Sequence, residues 1–93
     1  SLIKNFNNLN IDLITKLNYL IEFLKIILKS KITSEQLSGI YQIFNNAEFN
    51  NLKISNLIEE INNLRIDFYK VPQINETHIM NYLLSELKNS IKI

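Results

Sequence analysis

Few residues in this chain could carry chemistry, and His78 is its only histidine. Glu76 and Glu86 lie near it in sequence, so one imidazole and two carboxylates could share a helix surface. A zinc site of the usual kind draws on thiolates or a second imidazole, and the chain has no cysteine and no other histidine. His78 therefore reads as a solvated histidine. Glu59 and Glu60 form a second acidic pair, but adjacent residues on a helix point about 100° apart and cannot share one proton. A Ser–His–Asp site needs a strained turn to hold its nucleophile and backbone N–H groups for the oxyanion. A single glycine supplies neither that turn nor a phosphate-cradling loop. Asn75-Glu76-Thr77 matches the N-glycosylation pattern, but a helix cap explains Asn75 more simply. The reading is of a chain with no catalytic residue, no metal ligand set and no cofactor.

The aromatic residues Tyr19, Phe23, Tyr41, Phe44, Phe49, Phe68, Tyr69 and Tyr82 could stack on bases, but they are not interleaved with a basic groove. Core packing with tyrosine hydroxyls at the rim fits them better. Only one arginine is present, and the net charge is +1. The charge is unevenly spread: residues 1–31 are net basic and residues 32–64 net acidic. That is the pattern of solvated helix faces rather than of a nucleic-acid footprint.

The elements that must position these residues follow from composition and spacing. With 93 residues, one domain is expected. A chain this short buries only about 60–65% of its unfolded surface, so its core must be dense in apolar residues. Ile and Leu supply most of an apolar content of 46%. One Gly and one Pro argue against the many turns of a sandwich or barrel. The abundant Asn pairs follow AT-rich codon usage. The chain opens at Ser1 without Met, as an excised domain would. The Leu17–Leu28 run is too short to span a bilayer, so no membrane insertion is expected.

The expected fold class is all-α, a small bundle of four to five antiparallel helices over residues 1–93. Residues 1–9 carry Leu2, Ile3, Phe6 and Leu9, the pattern of a short leading helix. A helix from about Ile11 to Ser30, with Asn10 as N-cap, repeats Leu13, Leu17, Leu20, Leu24 and Ile27 at helical spacing. A second helix is expected from Thr33, where Thr33 and Gln36 stand at capping-box spacing. Its stripe is Leu37, Ile40, Tyr41 and Phe44, with Gly39 marking a close helix crossing, and Asn45-Asn46 breaks it. A third helix spans about Asn50 to Phe68, and Tyr69-Lys70-Val71-Pro72 forms a linker. The last begins after Asn75 and runs to about Ser90. No segment alternates with period two, so no sheet is expected.

The order of these features resembles the helical domain shared by the steroid receptor RNA activator protein and the C-terminus of the large outer-coat subunit of COPII vesicles. Leu17–Ile27 is similar to the family's first helix, and Lys31-Ile32-Thr33-Ser34-Glu35-Gln36-Leu37 to the entry of its second. Glu48-Phe49 resembles its turn, Ser55 with Ile58 its third-helix packing face, and Leu87-Lys88-Asn89-Ser90-Ile91 its ending. The chain departs from the family at Tyr82, where a Trp is usual near the start of the last helix, and in the longer Arg65–Glu76 connection containing Pro72. The resemblance implies a coat-assembly or scaffold module of vesicle transport with protein partners, no catalysis and a cytoplasmic place, peripheral at vesicle or endoplasmic-reticulum membranes.

The residues themselves point the same way: full amphipathic stripes without a reactive constellation mark a protein–protein interaction module. Two alternatives stand beside it. One is an RNA-associated helical module, motivated by the basic first third and the RNA-activator resemblance. The other is a structural homo-oligomer.

Overall fold

The computed structural model describes residues 11–70 and 75–92. Helix α1 spans Leu13–Thr33, and Asp12 is its N-cap. The Asp12 carboxylate accepts the Thr15 N–H at 2.8 Å. The Thr15 hydroxyl first, and then this N–H, stabilise the charged form and hold the Asp12 carboxyl below its ordinary value. The expected Asn10 cap and the helix expected over residues 1–9 lie outside the described residues.

The far end of α1 overturns the expected capping box. Thr33 is the last residue of this helix, not the first of another. Its hydroxyl donates back to the Lys29 carbonyl at 2.8 Å, a bond that a Thr can make only inside or at the end of a helix. Ser34 then turns the chain in the left-handed conformation, φ 60°. Residues 35–38 are not helical, and a six-residue 3-10 helix, η1, follows over Gly39–Phe44. The long second helix is thus reduced to one short turn of tighter geometry. Gly39 is not a close crossing either. Among the described residues, its chain neighbours aside, nothing lies within 4 Å of where its Cβ would stand, and its φ of +62° is what requires glycine.

Strand β1 (Glu48–Phe49) leads into helix α2 (Asn51–Lys70), whose first turn is capped by the Asn50 side chain accepting the Lys53 N–H at 3.0 Å. Tyr69 and Lys70, expected in a linker, are the last residues of α2. Val71 and Pro72 lie outside the described residues. Helix α3 spans Glu76–Ser90, and Asn75 caps it as expected, accepting the His78 N–H at 3.0 Å. Strand β2 (Ile91–Lys92) closes the described chain.

β1 and β2 pair antiparallel, Glu48 facing Lys92 and Phe49 facing Ile91. This small sheet corrects the expectation of none. Two residues on each side are too few to show a period-two pattern. Backbone pairing continues past it, the Asn50 N–H donating to the Ser90 carbonyl at 3.1 Å. The end of α3 is therefore fastened to the start of α2.

The described chain is predominantly helical: three α-helices, one 3-10 helix and the two-stranded sheet. α1 and α2 pass in opposite directions, with Asn18 bonded to Arg65 at one end and Lys31 over the Phe49 ring at the other. The core gathers Leu17, Leu24 and Ile27 of α1, Ile54 and Ile61 of α2, and Leu83 and Leu87 of α3. None of the helices among the described residues is long and apolar enough to cross a membrane.

Two consequences can be measured. Gly39→Ala should destabilise the chain by about 1–2 kcal/mol in spite of the open space, because its φ disfavours any Cβ. A thermal melt several degrees below the parent is expected, and an unchanged melt would contradict the left-handed geometry. Asp12 titrates lower in the folded chain than in the unfolded one, so its contribution is complete above the unfolded value. It is lost as pH falls through the folded value. The Thr15 amide resonance should report that midpoint below the ordinary 3.8, and Asp12→Asn should abolish the transition while keeping the cap.

Candidate interaction surface

The structure scatters the residues singled out for chemistry. His78 is exposed on the first turn of α3. Among the described residues no group of three His, Cys, Asp or Glu side chains could hold a metal ion. Glu59 is exposed, while Glu60 stands close enough to the Tyr82 hydroxyl of α3 to act on its titration. Hydrogen bonding toward the Glu60 carboxylate, followed by partial desolvation and the negative charges of Glu60 and Glu86, holds the Tyr82 phenol above its ordinary 10.0. Glu59 and Glu60 therefore do not act as a pair.

The aromatic residues divide. Phe23 stacks on Tyr41 at 5.9 Å and meets Phe44 edge-on at 5.3 Å, pinning η1 to α1. Lys31 sits 4.5 Å from the Phe49 ring centroid, a cation–π contact between the end of α1 and β1. Tyr19 and Tyr82 remain about half exposed. Ser55, which the resemblance put on a packing face, is exposed, and Ile58 is half-buried.

The segment between α1 and α2 is held by an unusual clasp. The Asn45 carboxamide meets both backbone groups of Leu37: its Oδ1 accepts the Leu37 N–H at 2.7 Å and its Nδ2 donates to the Leu37 carbonyl at 3.0 Å. One side chain thus replaces a partner strand for Leu37, whose own side chain is buried. The Ser30 hydroxyl donates to the Glu35 carbonyl and fastens the start of the same segment.

On this clasped segment the 3-10 geometry decides which residues face out. Residues three apart eclipse in such a helix, so Tyr41 and Phe44 turn inward together. Ile40 and Ile43 turn outward, 70% and 57% exposed. The expected stripe placed Ile40 inside, because it assumed 3.6 residues per turn. Ile32 at the end of α1 and Leu52 at the start of α2 are exposed as well.

A second feature escaped the sequence reading. Between α1 and α2 an open depression of about 240 Å³ is lined by Ile14, Asn18, Asn62, Arg65 and Ile66. The Arg65 guanidinium donates from Nη1 to the Asn18 amide oxygen and from Nη2 to that of Asn62. Its Nε is buried without a hydrogen-bond partner among the described residues. The Asn62-x-x-Arg65 spacing, three residues along a helix, was the one signal available in sequence.

Compared with known protein families, curated proteins and solved structures, the chain finds no match in any of the three.

Asn45→Asp tests the clasp. A carboxylate can accept the Leu37 N–H but cannot donate to its carbonyl, so a loss of about 1–2 kcal/mol is expected in urea denaturation at neutral pH. At about pH 3, where a carboxyl is largely protonated and donates again, the gap to the parent should narrow.

Proposed function

We propose that the chain is a non-catalytic helical protein–protein interaction module, of the coat or scaffold kind that its resemblance implies. A cytoplasmic place at vesicle or endoplasmic-reticulum membranes belongs to the same reading. The observation that carries it is the outward pair Ile40 and Ile43 on the clasped 3-10 helix. Large aliphatic side chains left in water gain most when a partner covers them. These two are held by Phe23, Tyr41, Phe44 and the Asn45 clasp, so little conformational freedom remains to be lost on binding. Ile32 and Leu52, which flank the same segment in sequence, are exposed as well.

The double variant Ile40→Asp/Ile43→Asp is the test. Both sites are exposed, so each should change the melting behaviour by no more than about 0.5 kcal/mol. Proteins that co-purify with the parent from native extract should be lost with the variant. Concentration-dependent self-association in sedimentation, removed by the same variant, would make the partner a second copy. Equal capture and equal sedimentation of parent and variant would overturn the reading.

A further inference from the structure

We propose that the depression between α1 and α2 is a docking site for a single carboxylate side chain, Asp or Glu, presented by a protein partner. The proposal rests on the interaction-module reading and names a chemistry within it. Arg65 is the only arginine of the chain, and a guanidinium is a planar cation with five N–H donors and no acceptor. Its hydrogen bonds among the described residues run to two neutral amides, Asn18 and Asn62, and to no carboxylate. Residues 1–10 and 71–74 contain no Asp or Glu that could supply one. Asp67 lies two positions along α2, a spacing that puts it on another face of the helix.

Among the described residues the charge is therefore oriented but not neutralised. Each Nη has donated one hydrogen and keeps a second, and the two amides hold the planar fork in place. Such a fork suits a carboxylate, which takes two parallel N–H···O bonds from it. Ile14 and Ile66 form apolar walls beside the charge. They would seat an aliphatic stem and strengthen the ion pair by excluding water. A volume of about 240 Å³ lies below the roughly 300–1,000 Å³ of metabolite and cofactor pockets. It admits one side chain. One guanidinium among apolar walls also favours a singly charged carboxylate over a doubly charged phosphate.

The test uses the whole ¹⁵N-labelled chain, where the sole arginine gives one Nε–Hε resonance and needs no variant to assign. The probes are isovalerate, acetate, inorganic phosphate and a blocked glutamate (N-acetyl, N-methylamide). Saturable shifts of the Arg65 Nε–Hε and of the Asn18 and Asn62 side-chain amides are expected with isovalerate and the blocked glutamate. Acetate, lacking the stem, should bind about tenfold more weakly. Arg65→Gln, checked for retained helicity, should lose the response. No shift, or shifts by phosphate equal to those by isovalerate, would overturn the proposal. Binding of isovalerate with the blocked glutamate excluded would also overturn it, in favour of a small free acid. None of these results depends on Ile40 and Ile43, so failure of this site and failure of the interaction reading are distinguishable.

Discussion

Everything described in this chain leans on the broad apolar face of α1. Leu13, Leu17, Leu20, Ile21, Leu24 and Ile27 are all buried, and no single neighbouring helix could cover so wide a stripe. α2 packs along it, α3 packs against α2, and η1 is drawn onto its C-terminal half through Phe23. A chain this small has little other apolar area with which to offset the entropy of ordering. The polar devices act as fasteners on that frame: the caps at Asp12, Asn50 and Asn75, the Asn45 clasp and the two-residue ladder joining α2 to α3.

The three long helices were legible because their apolar spacing is long enough to fix a period. Asn75 was legible as a cap because it stands directly before a long helical stripe, which explains it more simply than the glycosylation pattern it also fits. The α1–α2 connection was not legible, for a specific reason. Thr33 has a hydroxyl that serves a helix start or a helix end equally well, and only the position of Ser34 in left-handed space decides between them. Once α1 takes Thr33, Gly39–Phe44 is too short for an α-helix of its own. The change to three residues per turn then reverses the fate of Ile40. The sheet was invisible because its pairing joins residues more than forty positions apart through two residues on each side.

The same connection is where the functional account sits. A flexible loop bearing two isoleucines would bury them against its own chain. Here the inward pair Tyr41 and Phe44 already occupies the space beside Phe23, so Ile40 and Ile43 have no room inside. Their exposure follows from packing and not from a lack of apolar neighbours. Arg65 illustrates a parallel rule for charge: two asparagines fix its direction without cancelling it. Rigid apolar and charged side chains lose the least freedom on binding, and the proposed interaction role draws on that.

The claim beneath this account is that the 34–50 segment is a fixed platform. Amide hydrogen exchange tests it most directly. The account predicts that the Leu37 N–H, held by Asn45, exchanges slowly, and that the Asn45 and Ala47 N–H groups, bonded to the Gln42 and Phe44 carbonyls, do the same. Protection at Leu37 comparable to that in the last turn of α1 would agree with it. Exchange of Leu37 and Asn45 at the rate of an unfolded chain would contradict it.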